Sequence, residues 1–356
     1  MIAVVLVGGE GTRLRPLTLD EPKPVLPIGG VPFVSLLLER LAAAGVTRTI
    51  LSCGYLPDRL RAGIGDPPAG MEVEVVVESE PLGTAGAIRF AAEGRVDGPF
   101  LALNGDVLGD ADLGALVAAH RDRGAVAAIG LTPVDDPTRF GVVVHADDGT
   151  VERFVEKPPN ADGLGPGPWW VNAGAYVLDP SVLERIPSGR MVSIEREVFP
   201  ELVGAGLICV RSDGYWRDIG TLESFLTANA DAVAGRVRTR VPGAADAVLV
   251  DPTAQVGAGA VLAAPVLIGP GAVIGDGAEI GPAAVIGPGA VVADDAVVRD
   301  AVLLADARVS AGAVVERSAI GRDALVGERA RVVDSALGTG EAAGSGEELV
   351  GERRPG

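Results

Sequence analysis

IGPGAVIGDGAEIGPAAVIGPGAVV, residues Ile268–Val292, places an aliphatic residue at every sixth position. Ile268, Ile274, Ile280, Ile286 and Val292 carry this beat. A period of six fits neither an α-helix, with 3.6 residues per turn, nor a plain alternating strand. It fits a parallel β-helix, in which one residue of each short strand points inward and the chain then turns a corner. Corners demand small residues. An alanine stands two positions before most of the aliphatic ones: Ala254, Ala260, Ala272, Ala278, Ala284, Ala290, Ala296, Ala301, Ala307 and Ala313. Traced outward, the beat starts at Val250, Val256 and Leu262 and runs on to Val298. One residue drops out before Leu303, Val309 and Val315, and another before Ile320, Val326 and Val332. A β-helix over residues 246–338 is predicted, with about fifteen hexads in about five coils. In EAAGSGEELVGERRPG the beat is lost, so residues 339–356 are expected to form a disordered tail.

The repeat resembles the hexapeptide family of left-handed β-helices, at three hexads per coil. Many members of that family are acyltransferases, which implies a histidine base. The only histidines here are His120 and His145, both in the first half, so that chemistry is disfavoured. The module reads as a packing or oligomerisation element. Its open coil end invites self-association, and a homo-oligomer is expected.

Upstream of the repeat the pattern is different. IAVVLV, RTILS, MEVEVVV and PFLALN read as strands. FVSLLLERLAAAG (Phe33–Gly45) and ADLGALVAAHRDRG (Ala111–Gly124) read as helices closed by glycine. Alternating strands and helices over residues 1–235 predict a Rossmann-like, three-layer α/β domain with a mostly parallel sheet. Such sheets bind ligands beyond the carboxyl ends of their strands.

The 356 residues suffice for two domains, and 48% of them are hydrophobic. The formal net charge of −18 argues against nucleic acid or an anionic membrane as partner. Cys53 and Cys209 give neither a disulfide framework nor zinc spacing and read as buried thiols of a reducing compartment. MIAVVLVGGEG is apolar for too few residues to act as a signal peptide, and no segment approaches about 20 apolar residues. A soluble, cytoplasmic protein is expected.

The glycine turns supply the chemistry. VLVGGEGTRLRPLT (Val5–Thr18) lacks the third glycine of a dinucleotide fingerprint and the Gly-Lys-Ser/Thr of a Walker loop. Its glycines still allow close backbone approach and a nest of N–H groups beside Arg13. EPKPVLPIGG presents Lys23 between two prolines. PLGTAGA opens a helix near Thr84, and its N–H groups are candidates to face a base or ribose. Asn104-Gly105-Asp106, Glu156-Lys157, Asn172-Ala173-Gly174 and Asp218 all fall at strand ends or starts. Each carboxylate alone is more often a turn former or a helix cap. Together they put carboxylates, cations and glycine turns on one predicted face.

GGEGTRLRPLT, PKPVLPIGG, EPLGTAGA, NGD, FVEKP, NAGAY and WRDIGT, in this order, resemble the sugar-1-phosphate nucleotidyltransferases over essentially all of residues 1–230. EPLGTAGA and SIEREVFPEL (Ser193–Leu202) look most like the mannose-1-phosphate guanylyltransferase branch, whose members also carry a C-terminal left-handed β-helix. The resemblance implies in-line attack of a sugar-1-phosphate on the α-phosphorus of a nucleoside triphosphate, releasing pyrophosphate. It implies that Leu6, Gly8, Gly9, Gly11 and Thr12 line the nucleotide, with Gly83 and Thr84 nearby. Arg13 would stabilise the departing pyrophosphate, and Lys23 would sit near the α-phosphate. Asp106 and Asp218 would hold magnesium, a hard cation that prefers oxygen ligands. Lys157 would grip the sugar phosphate. Glu156 and Asn172 would bond sugar hydroxyls, with the Gly141 and Gly174 backbone close by. Glu78 matches the position that reads the base. An ionised carboxylate only accepts hydrogen bonds, and guanine offers N1–H and an amino group side by side, so GTP is favoured. Two alternatives stay open: a glucose-1-phosphate enzyme using dTTP or UTP, and a non-catalytic subunit that senses nucleotide sugars. Trp169 and Trp170 either wall the sugar pocket or pack on the β-helix.

Overall fold

The structure is a computed structural model, and it describes residues 1–355. Contacts divide the chain into two units. One joins Met1–Gly9 to Leu37–Trp216; the other joins Glu10–Leu36 to the chain from Arg217 onward. This division cuts across the expected boundary at residue 235.

The first unit is built on a nine-stranded sheet. Its strands are β1 (Ile2–Leu6), β2 (Arg48–Cys53), β3 (Glu72–Val77), β4 (Phe100–Asn104), β5 (Ala127–Val134), β6 (Gly141–His145), β7 (Val151–Glu156), β8 (Trp169–Leu178) and β9 (Leu207–Arg211). The order is β7-β6-β8-β4-β1-β2-β3, with β5 paired to β8 and β9 paired to β5. The parallel core expected from the sequence is β3-β2-β1-β4. Beyond it β8 runs antiparallel to β4, β5 and β6. Leu6 lies beside both Ser52 and Asn104, so the carboxyl ends of β1, β2 and β4 share one edge. Near-continuous aliphatic runs suit strands covered on both faces.

The helices of eight or more residues are α1 (Phe33–Ala43), α2 (Pro57–Ile64), α3 (Gly83–Ala92), α4 (Leu113–Asp122) and α5 (Leu222–Val233). Helix α3 packs on β1 and β2, and α4 packs on β5, β8 and β9. Asp112 caps α4 by accepting from the Ala115 N–H at 3.0 Å. Gly45 and Gly124 follow α1 and α4 in the left-handed conformation, as their sequence positions predict. Tyr176, Phe100 and Phe199 are among the largest fully buried side chains of this core. Cys53 and Cys209 are buried and unpaired, and burial pushes the Cys209 thiol up to about 12.

In the second unit, short parallel strands stack into three sheets of seven, six and six strands. The sheets begin at Val248–Val250, Gln255–Val256 and Val261–Leu262. This is the parallel β-helix of hexapeptide repeats, consistent with the left-handed class. Ile268 through Val332 on the aliphatic beat form one buried column with the corner alanines. The expected tail is a correction: Ala342–Ala343, Glu348–Val350 and Arg353–Arg354 are strands paired to the preceding coil. Leu337, Ala343 and Leu349 extend the column. The two earlier slips fall at Asp300 and Arg317, both left-handed residues, and a third falls at Asp334. That third slip, together with the small Ala343, hid the last coil. The same unit holds α5, capped by a reciprocal Thr221–Ser224 pair, which packs against Val266–Ile268 and Ala284–Ile286. Asn229 of α5 accepts from the Gly29 N–H at 2.9 Å and donates to the Pro27 carbonyl at 3.2 Å, tying down the segment Glu10–Leu36. No helix among the described residues is long and apolar enough to cross a membrane.

Candidate active site

The expected site residues fall in both units. In the first are Leu6, Gly8, Gly9, Glu78, Gly83, Thr84, Asp106, Gly141, Glu156, Lys157, Asn172 and Gly174; in the second are Gly11, Thr12, Arg13, Lys23 and Asp218.

Within the first unit, the parallel strand ends gather one cluster. Glu78 follows β3, and its backbone N–H bonds the Cys53 carbonyl at 2.8 Å. Ser52 donates its hydroxyl to Glu78 Oε1 at 2.8 Å. A Cβ on Gly8 would meet that same oxygen at 3.1 Å, so glycine there is what admits the carboxylate. Glu78 is thus a held acceptor rather than a solvated charge. Gly105 is equally constrained: a Cβ would lie 2.6 Å from the Leu6 carbonyl oxygen. This tight turn carries the chain from β4 to Asp106.

A second cluster forms around β7 and β8. Glu156 lies beside Gly141 in the ladder, and a Cβ on Gly141 would meet Glu156 Oε2 at 2.8 Å. The glycine therefore leaves the carboxylate room. Lys157 sits at φ 46°, a rare conformation for a bulky side chain, with its amide donating to the Phe140 carbonyl at 3.0 Å. Its Nζ lies 3.7 Å from Glu156 Oε1. Burial, and then the Glu195 charge, raise the Glu156 carboxyl above its usual range, against the opposing pull of Lys157 and Arg196. In β8 the pairing register shifts between Asn172 and Tyr176, and Gly174 at φ 73° lies at this bulge. Asn172 accepts from the Gly174 N–H at 2.9 Å and donates to the Tyr176 hydroxyl at 2.8 Å. These bonds use one of the two Asn172 amide hydrogens.

At the start of α3 the structure shows how Gly83 and Thr84 are held. The Ala85 and Gly86 N–H groups both bond the Val192 carbonyl, which leaves the base-or-ribose expectation to the N–H groups of Gly83 and Thr84. The Thr84 hydroxyl donates to Glu195 Oε2 at 2.7 Å and accepts from the Ile194 N–H at 2.8 Å. Gly83 is required: at φ 70°, a Cβ would sit 2.6 Å from the Val192 oxygen. Glu195 is a residue to which the sequence reading gave no role. It lies on a single π-helical turn, Ile194–Val198, and also accepts from Ser193 Oγ at 2.8 Å. Such turns recur at functional sites. Its signal was the SIEREVFPEL motif, whose acidic residues look like ordinary helix charges.

The second unit holds the cationic pieces. Gly11 takes φ 63° and starts the turn Thr12–Leu14, and Thr18 Oγ1 donates to the Gly11 carbonyl at 2.9 Å. Lys23 is only 8% exposed, on the turn Lys23–Val25, which excludes an ordinary surface lysine. A Cβ on Gly220 would lie 2.6 Å from both Arg13 Nη2 and Asp218 Oδ1. Glycine therefore lets the guanidinium and the carboxylate converge. Among the described residues no group of three or more His, Cys, Asp or Glu is placed to hold a metal. Magnesium does not need one, because one or two carboxylates with phosphate oxygens and water complete its shell. Trp170 packs edge-on to His145 and under Arg211, both in the first unit, and Trp169 donates to the Gly165 carbonyl.

Residues 2–235 match the family described as nucleotidyl transferase, and residues 263–350 match the GMPPB C-terminal domain. A mannose-1-phosphate guanylyltransferase of Mycobacterium tuberculosis is 45% identical over 240 residues, 65% of this chain and 65% of that protein. The match thus spans just under two thirds of that relative's length. A mannose-1-phosphate guanyltransferase of Aspergillus fumigatus is 40% identical over 275 residues, 72% of this chain and 73% of that protein. Among solved structures, HddC from Yersinia pseudotuberculosis complexed with GMP-PN aligns with a TM-score of 0.54 at 32% identity, over 64% of this chain and 97% of HddC.

Proposed function

From the premise that the chain belongs to the nucleotidyl transferase family, we propose that it joins GTP and mannose-1-phosphate into GDP-mannose and pyrophosphate. The sugar phosphate oxygen attacks the α-phosphorus in line, and the bond from that phosphorus to the bridging oxygen of the β-phosphate breaks. Pyrophosphate carries away the electron pair. Nothing in the site calls for a covalent enzyme intermediate, so the protein contributes positioning and charge stabilisation. One observation supports the sugar-phosphate half most: the Lys157 backbone is held at φ 46° beside the half-buried Glu156, with the two side chains 3.7 Å apart. A cation projected from a constrained backbone suits the phosphate, and the carboxylate next to it accepts from sugar hydroxyls.

Arg13 stabilises the charge developing on the leaving pyrophosphate, and Lys23 that on the α-phosphate. Gly8, Gly9, Gly11 and Thr12 bring backbone against the triphosphate, with Leu6 behind them. Asp106 and Asp218 are the residues that would hold magnesium, whose bound charge offsets that of the phosphates. Gly141 and Gly174 leave backbone accessible to the sugar. Asn172 offers its remaining amide hydrogen. Thr84 and Gly83 order the Val192–Glu195 segment. Glu78 accepts from guanine N1–H and the N2 amino group. The name of the Mycobacterium tuberculosis relative and the GMP-PN bound by HddC support guanine over uracil or thymine. The test is pyrophosphate release with magnesium over a panel of NTPs and sugar-1-phosphates. GTP with mannose-1-phosphate is expected to give the highest kcat/KM, and a higher value with dTTP or UTP and glucose-1-phosphate overturns the substrate assignment.

A further inference from the structure

We propose that Ser52 is a positioning residue for base choice: its buried hydroxyl fixes the plane in which Glu78 meets the guanine edge. This rests on the reading of Glu78 as the base acceptor.

Ser52 lies in the aliphatic run of β2 and is fully buried. A buried hydroxyl needs a partner, and here the partner is a carboxylate, which makes the bond a charge-assisted one. The serine itself cannot drift. Its carbonyl accepts from the Val7 N–H at 2.9 Å, and its strand is laddered to β1 and β3 on either side. Glu78 is tied to the same strand through its own N–H on the Cys53 carbonyl. Donor and acceptor are therefore mounted on adjacent rungs of one rigid sheet, as a preorganised site requires.

The carboxylate has a floor as well as a tether. A Cβ on Gly8 would come within 3.1 Å of Oε1 and equally close to the Gly54 N. Gly8 thus leaves the Glu78 carboxylate room at the end of β1. Free glutamate side chains rotate about three bonds. With Oε1 held by Ser52, rotation of the carboxylate plane is removed, while Oε2 and the second lone pair of Oε1 remain for a ligand. Guanine presents N1–H and one amino hydrogen in a single plane, so two bonds form together only if the carboxylate plane is set in advance. Ser52 does not reach the base and acts through Glu78.

ITP, which lacks the 2-amino group, separates this role from a structural one. The wild type is expected to prefer GTP over ITP in kcat/KM. Ser52→Ala is expected to lower kcat/KM for GTP by roughly tenfold, as for losing a hydrogen bond to a charged group, and to affect ITP less, so the GTP/ITP ratio narrows. Glu78→Gln is expected to collapse the ratio, and Ser52→Ala added to it is expected to change nothing more. Ser52→Cys, with a weaker donor, is expected to fall between serine and alanine and serves should the alanine variant fold poorly. An equal loss for GTP and ITP, or additive losses in the double variant, overturns the proposal for Ser52. If Glu78→Gln itself leaves the ratio unchanged, the base assignment fails instead.

Discussion

The β-helix and the sheet unit use the same aliphatic residues to different ends. In the β-helix the demand repeats with every coil: an inward Ile, Val or Leu, an alanine at the corner, and a left-handed residue at the turn. Glycine and aspartate both serve in that turn, as at Gly271 and Asp306. In the sheet unit the strands stop at one edge, and each strand end leads into a turn unlike the others. Gly8 lies under Glu78, Gly105 against Leu6, and Gly141 under Glu156, each with a different neighbour. Repetition marks scaffold, and the residues proposed for the chemistry lie among the unrepeated turns. The contrast can be broken by exchanging its terms.

The largest effect is expected at the carboxylates proposed to hold magnesium. Asp106→Asn or Asp218→Asn should lower turnover by about 10²-fold or more, with circular dichroism and unfolding unchanged. Near-normal turnover in both would remove the metal assignment. Ile286→Ala should do the reverse. Emptying this fully buried β-helix position should cost about 2–5 kcal/mol in denaturant unfolding and leave kcat/KM per folded molecule intact.

Glycines sharpen the comparison. Gly141→Ala drives a methyl against Glu156 Oε2 and Phe154 Cζ. It should raise KM for the sugar phosphate roughly tenfold by displacing the carboxylate, and an unchanged KM would detach Glu156 from the sugar. Gly259→Asn in the β-helix, at φ 71° with open space around it, should shift stability by only about 0.5 kcal/mol, because asparagine tolerates that conformation.

The smallest effect is in pH. The raised Glu156 carboxyl keeps its proton to higher pH than an unfolded glutamate does. Its contribution to stability is therefore fully present below the unfolded value and is lost as pH rises through the folded one. Activity has the opposite need, since the ionised form accepts from hydroxyls on both oxygens and makes the stronger, charge-assisted bonds. The acid limb of kcat/KM for the sugar phosphate should move to lower pH in Glu195→Gln, because the Glu195 charge is the second cause of the shift. A limb that stays in place would show that Glu156 does not govern it.

These differences also explain what could be read in advance. The β-helix was legible through Val332 because its period is strict, and the last coil was hidden by one more dropped residue and by Ala343 on the beat. Lys23 stands out between two prolines and Asp106 after a glycine, while Glu156 and Asp218 drew attention through the FVEKP and WRDIGT motifs. Ser52 did not, since a lone serine in RTILSC looks like any strand residue until its partner beyond β3 is known. Glu195 and the held N-terminus of α3 depend on Val192–Glu195 folding back onto Thr84, a contact across 110 positions that no local pattern encodes.

The most direct measurement of the central claim is magnesium-dependent pyrophosphate release from GTP and mannose-1-phosphate, with Asp106→Asn measured alongside. The account predicts release and GDP-mannose in equal amounts from the wild type, and loss of both in the variant. No pyrophosphate from any NTP and sugar-1-phosphate pair would contradict it, and would favour a protein that binds nucleotide sugars without making them.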